Sequence, residues 1–548
     1  MRKNGFRFFV FSLFVFLLQL LSAFPAFALT MEARVESAVI DPVSKDTVHV
    51  SVLSNDVTQG TDGSIYLFEL KPYQDSIGFR AEYLDKKPSD IHLDFSFPLD
   101  AGPGEKRLYS SYVAAVRTGN RYRIVSNRCY ITNPEVLAIN QEPAANPGKK
   151  GLRVDPNILD DAISLNIKHA GVDIPTQRFF GKGIWYSFEG KNYEISSELI
   201  DQLDQEVQRL TENGIVVTGI LLNGWNAAVP ELYRPGTVQQ TPDAAVYYSF
   251  NVETEAGFRA VKAMASFLAK RYNGRNGHGK ITNWVIGNEI NNQYWNYTGN
   301  YDAPSYTRIF QRAFRVFYTA VKSECANDNV MFSLDHYWNM LPETGAIGKY
   351  KGRDILEWFN TLDIEEGRTD WGLALHPYPY PINTPEFWRI TSYNRDKLRD
   401  DNDSPGVNFR NLHVVTDFMQ NEAILSPRGT VRHIFLTEQG FNSHMGSRDM
   451  TLQQAAAVAY SYYIVYNNPY IDAYLLSRQE DSADEIASGG LRFGLSWFEG
   501  SEMHHKKAHE VFRYIDDPYI SLYTAEFAKP LLGILEWNQL IPDFRSPS

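Results

Sequence analysis

Two cysteines in 548 residues are too few for a disulfide framework. Cys129 and Cys325 leave room for one bridge between two domains, and nothing at their spacing resembles a metal site. Positive charge is also in deficit: 53 Lys and Arg stand against 65 Asp and Glu, a formal charge of −12. That balance argues against nucleic acid or an anionic membrane as partner. No glycine-rich phosphate loop follows the early strand-like runs, so a nucleotide site has no support. Beyond the N-terminus, no stretch is apolar for long enough to span a bilayer.

The N-terminus itself carries Arg2, Lys3 and Arg7, then an apolar run from Phe8 to Leu21 broken only by Ser12 and Gln19, then Ala26-Phe27-Ala28. This is the pattern of a secretory signal peptide cleaved after Ala28. The competing reading is an uncleaved anchor, because apolar residues continue almost to Leu29. No cysteine near the cleavage site offers a lipid attachment point. Cleavage would remove three cations, taking the formal charge from −12 to −15, and would leave 520 residues. That length suggests two domains and a secreted protein with no membrane association after cleavage.

From 29 to 139, short alternating runs such as TVHVSVLS, SIYLFEL and IHLDFSFPL are separated by turn residues. The spacing predicts a small antiparallel, sandwich-like domain. NQEPAANPGKKG, residues 140–151, reads as a linker because proline, glycine and alanine dominate it. From 152 onward, apolar strand-like runs alternate with segments of helical period, which predicts an α/β fold and favours a closed (β/α)8 barrel. Helices are expected over 196–213, 256–272, 305–325 and 452–466. The strand near Leu152–Val154 carries the weakest pattern.

The chemistry concentrates at two strand ends. ITNWVIGNEINN, Ile281 to Asn292, is a β-branched apolar run that delivers Asn288 and Glu289 to the rim after Gly287. VRHIFLTEQGFNS does the same for Glu438 before Gly440. On the strand count these are the fourth and seventh strands, and barrel enzymes place their chemistry at the C-terminal ends of strands. An Asn-Glu pair after the fourth strand with a glutamate after the seventh resembles the clan-A retaining glycoside hydrolases, over roughly residues 145–515.

That resemblance implies Glu289 as acid/base, Glu438 as nucleophile, Asn288 as a ligand of the sugar hydroxyl beside the reacting carbon, and a carbohydrate substrate with neither cofactor nor metal. It also implies a tyrosine on the sixth-strand rim bonded to the nucleophile. In HPYPY, residues 376–380, His376 ends that strand, and both Tyr378 and Tyr380 fit the tyrosine's place. Two carboxyl groups about 5 to 5.5 Å apart would split their pKa values, one staying protonated and the other ionised. A transglycosylase would use the same residues, and a carbohydrate-binding barrel without turnover would keep the cleft.

Further candidates on the same face are Asn223 and Trp225 after the third strand and Asp335 and His336 after the fifth. Trp497, beyond the eighth strand, is a candidate sugar platform. His169 joins them if the second strand presents it at the rim. The acidic loop QEDSADE, 479–485, reads as a solvated charge run or a site for a cation or basic sugar.

Overall fold

The computed structural model describes residues 31–55, 60–102, 104–343, 345 and 348–547. The leader and its cleavage site at Ala28 lie outside the described residues. No described helix is long and apolar enough to cross a membrane.

The N-terminal part forms two antiparallel sheets. One joins Ala33–Ile40, Thr47–Ser54 and His92–Pro98; the other is built on Ser64–Leu70 and Ser111–Thr118. Alternation produces this arrangement: in Thr47–Ser54, Val48, Val50 and Val52 turn inward while the residues between them stay partly exposed. The unit also grips the later domain. Asn127 Nδ2 donates to Glu365 O at 2.8 Å, and the Arg315 guanidinium lies 5.0 Å from the Tyr130 ring centre.

Eight parallel strands then close into a barrel: β1 Lys150–Arg153, β2 His169–Pro175, β3 Val216–Leu222, β4 Ile281–Ile286, β5 Asn329–Leu334, β6 Trp371–Leu375, β7 Ile434–Gln439 and β8 Ala473–Leu476. β8 pairs with β1 to complete the ring. The fold is therefore the expected (β/α)8 barrel preceded by an all-β unit. β1 takes in Lys150 and Gly151, the last residues of the segment read as a linker. Its four residues, two of them charged and one glycine, explain the weak signal.

The helices between strands form for local reasons. The helix Ser197–Glu212 opens where the Ser196 hydroxyl accepts the Leu199 N–H, and it buries Leu199, Ile200, Leu203, Val207 and Leu210. The helix Ala303–Glu324 opens on Asp302, whose carboxylate accepts the Ser305 N–H at 2.9 Å. Gly352–Glu366, a helix the sequence reading did not single out, fills the place between β5 and β6.

Alternation along the strands divides the core. Ile220, Leu222, Val285, Met331, Ala374, Phe435, Ala473 and Leu475 meet in one cluster, while Leu221, Trp284, Ile286, Phe332, Leu375 and Leu436 belong to the larger cluster that includes the helices. This parity places functional groups as well. His376 follows Ala374 by two residues and so continues the inward row past the end of β6.

Two expectations are corrected here. Cys129 and Cys325 are both buried free thiols, so the bridge does not form. His169 begins β2 rather than ending it, and its Nε2 bonds Gly148 O at 2.7 Å at the opposite end of the barrel from the glutamates.

Candidate active site

Glu289 reaches its place through an unusual backbone. Gly287 has φ +73° and Glu289 itself has φ +38°, a left-handed conformation costly for a side-chain-bearing residue. Neighbouring bonds hold it there: Glu289 N–H donates to Ser333 Oγ at 2.7 Å, and Ile290 N–H to Ser333 O at 3.0 Å, both on β5. Glu438 is re-aimed differently. The pairing of β7 with β8 slips between Leu436 and Gln439, and the irregularity takes Glu438 out of simple alternation.

The two carboxylates and His376 then converge. Ligand atoms of Glu289, His376 and Glu438 all lie within 4.8 Å of one another. His376 Nδ1 stands 2.9 Å from Glu289 Oε1 and 4.0 Å from Glu438 Oε2, while Nε2 is 3.0 Å from Thr437 Oγ1. The ring thus bridges Glu289 through Nδ1 and the Thr437 hydroxyl through Nε2. Tyr378 Oη donates to Glu438 Oε1 at 2.8 Å, whereas Tyr380 donates to Glu343 at 2.6 Å. Of the two tyrosines open in the sequence, Tyr378 is the one at the glutamate.

Arg153, absent from the sequence candidates, completes the group. Its Nη1 donates to Glu438 Oε2, and its Nη2 holds both Asp173 oxygens at 2.7 and 2.6 Å. Gly171 makes room for the arginine stem: a Cβ there would stand 2.8 Å from Arg153 Cγ. The only sequence signal was an arginine at the end of an edge-poor, four-residue strand.

These surroundings push the two glutamates apart. Burial raises Glu289, against the opposing pull of the His376 bond and charge. Burial acts on Glu438 in the same sense, but the charges of Arg153, His376 and Arg478 and the Tyr378 bond outweigh it and hold the carboxyl down at about 2. One carboxyl is thereby favoured as acid and the other as anion. Nearby, burial and then the Glu289 charge raise Asp335 well above the carboxylate range, and Asn291 Nδ2 donates to it at 2.6 Å. Burial drives His336 down to about 3, keeping that imidazole neutral. The Glu289, His376 and Glu438 trio has metal-ligand spacing, but Arg153 and Arg478 already supply positive charge to Glu438 and oppose a cation there.

A cavity of about 1330 Å³ opens beside the group, lined by Arg153, Asp173, Tyr247, Arg478, Trp497 and Phe498 among others. Neither glutamate lines it; Arg153, in its wall, bonds Glu438, and Arg478, also in the wall, acts on Glu438 by its charge. Trp497 lines this cavity and stacks on His504 at 5.2 Å. Trp225 packs instead against Tyr233 and Tyr248, with ring centres 4.5 and 5.3 Å away. Asn223 is buried, accepting from Thr176 Oγ1 at 3.3 Å while its Nδ2 has no protein partner. Asn288 is buried on the turn that carries Glu289.

The architecture is similar to several solved structures. A family 39 glycoside hydrolase from the gut symbiont Bacteroides cellulosilyticus WH2 aligns at 16% identity over 89% of this chain and 83% of that one, with a TM-score of 0.43. A β-glucosidase from Pyrococcus furiosus aligns at 15% over 69% and 87%, with a TM-score of 0.44. A family 1 β-glucosidase from Thermotoga maritima aligns at 12% over 69% and 95%, with a TM-score of 0.41. No curated protein matches the sequence. A family model described as "Family of unknown function (DUF5722)" matches residues 142–540, the whole barrel included, and this protein belongs to that family.

Proposed function

We propose that the protein is a secreted retaining glycoside hydrolase acting on a poly- or oligosaccharide. The observation that carries this reading is the pair Glu289 and Glu438, within 4.8 Å at their ligand oxygens and pushed in opposite directions by their surroundings. Double displacement uses carboxyl groups about 5 to 5.5 Å apart, and inversion uses about 6.5 to 9.5 Å to admit a water between them. The spacing favours the first.

In that mechanism Glu438 attacks the anomeric carbon while Glu289 gives its proton to the departing oxygen. The glycosyl ester forms on Glu438 as the C–O bond to the leaving sugar breaks. Glu289, now an anion, takes a proton from water, whose oxygen attacks the same carbon and releases Glu438. Arg153 and Tyr378 hold Glu438 ionised and oriented, and His376 orients Glu289. Asn288 is assigned to the neighbouring sugar hydroxyl, and the cavity with Trp497 to adjoining sugar units.

The test is reducing-end release by the purified protein across a wide polysaccharide panel, with Glu438→Gln run in parallel. Release by the wild type, with retained anomeric configuration and loss of at least ~10³-fold in the variant, supports the reading. Near-normal release by Glu438→Gln, or inversion at the anomeric carbon, overturns it.

A further inference from the structure

A second group of ligand-type side chains lies apart from the glutamates. Asp161, His505 and His509 hold their ligand atoms within 4.8 Å of one another. They come from three elements: Asp161 from the short helix Leu159–Ser164, His505 from the end of the strand Glu502–His505, and His509 from the helix Lys507–Tyr514. Asp161 Oδ1 is 3.1 Å from His509 Nε2, and the two imidazoles stack with centroids 3.7 Å apart and planes 21° from parallel.

Two of these residues carry outer bonds of the kind that metal ligands make. Gln479 Nε2 donates to Asp161 Oδ2 at 2.7 Å, fixing the carboxylate and leaving Oδ1 directed at His509. Ser496 Oγ lies 2.9 Å from His505 Nδ1, which fixes that ring and leaves Nε2 for a ligand. Such second bonds set the tautomer and orientation of metal-binding histidines and carboxylates. His509 and Asp161 are mostly buried, and His505 is exposed, so solvent reaches the group at one side. Bringing both ring lone pairs onto one ion requires the stacked planes to open, and His505 is the ring with space to turn.

We infer that Asp161, His505 and His509 form a binding site for a divalent transition metal of the zinc class. Two imidazole nitrogens and one carboxylate oxygen suit such ions and disfavour calcium or magnesium, which take oxygen ligands. A tetrahedral ion takes bonds of about 2.0 to 2.2 Å, so binding moves His505 toward the Asp161–His509 pair, and water supplies the fourth position.

The site joins two walls of the large cavity. Asp161 belongs to the segment that contributes Pro156, Asn157 and Leu159 to the lining, and His505 pairs with Ser496 on the hairpin that contributes Trp497 and Phe498. A bound ion ties the hairpin to that segment and fixes the aromatic wall. The inference stands on the side-chain geometry and does not depend on the glycosidase reading.

The experiment is calorimetric titration of the chelator-treated protein, purified without a polyhistidine tag, with zinc chloride. Four forms are titrated: wild type, His505→Gln, Asp161→Asn, and the double variant Glu289→Gln/Glu438→Gln. The expected result is one zinc per chain in the wild type and in the double glutamate variant. Binding should weaken by at least ~100-fold in His505→Gln and Asp161→Asn, and zinc should raise the wild-type melting temperature by ~3 °C or more. His505 is exposed, so its replacement leaves the fold intact and isolates the ligand effect. Absence of one-to-one binding overturns the inference, as does binding unchanged in His505→Gln or binding lost only in the glutamate variant.

Discussion

Arg153 and Glu438 meet between the first and seventh strands, the guanidinium donating one arm to the carboxylate and the other to Asp173 on the second strand. A single side chain so links three strands and a catalytic candidate. Four expectations follow from this contact and the bonds around it.

Arg153→Met should leave Glu438 buried beside far less positive charge. Its pKa then rises, the acidic limb of kcat/KM moves upward in pH, and activity at neutral pH falls. Breaking a buried pair from one side costs ~3 kcal/mol. Because the native carboxyl is depressed to about 2, its stabilising contribution is full above its ordinary value near 4.5 and is lost as pH falls toward 2. The stability gap between wild type and variant, measured by denaturant titration, should therefore be wide at pH 7 and narrow below pH 4.

Glu289→Gln removes the proposed proton donor but not the proposed nucleophile. Turnover of natural glycosides should fall by ~10²–10⁴-fold, while aryl glycosides with acidic leaving groups lose far less in the first step. Initial-burst kinetics on a nitrophenyl glycoside checks this. Equal losses on both substrates would remove Glu289 from the acid role.

Tyr378→Phe should lower kcat by ~10-fold or more, and Tyr380→Phe should change it little, because only the first hydroxyl touches Glu438. Paired kinetics with unchanged melting temperatures would separate the two.

Gly171→Ala places a methyl against the Arg153 stem, within 2.8 Å of Cγ. The arginine must shift, so activity should fall more than stability does, the latter by ~1–3 kcal/mol. Full activity in this variant would show that the arginine has slack.

Much of this was legible in the sequence, for definite reasons. β4 and β7 announced themselves because buried parallel strands are continuous apolar runs, and Glu289 and Glu438 stand where those runs stop. The helices 197–212, 255–271 and 303–324 followed from apolar period and capping residues, whereas 451–466 has no capping side chain and is buried over most of its length. Arg153 was hidden because a four-residue strand with a lysine and a glycine has no pattern to read. His169 was weighed as a rim residue because the sequence did not fix the limits of the second strand; the strand begins at His169, which bonds Gly148. Trp225 was legible as a residue of the loop after the third strand, but its packing on Tyr233 and Tyr248 was not, because those partners are brought to it only by the folded loop. The Asp161, His505 and His509 group is invisible along the chain, since Asp161 lies more than 300 residues from the two histidines.

The left-handed backbone at Glu289 has a consequence for how such a protein ages as a lineage. Glycine would sit there without steric penalty, and asparagine with less than glutamate, so the residue proposed as the acid is also one the fold would sooner be without. On the proposed function, selection on turnover keeps it. Released from that pressure, a descendant would gain stability by discarding its acid first, becoming a sturdier and silent barrel that still opens onto the same cavity.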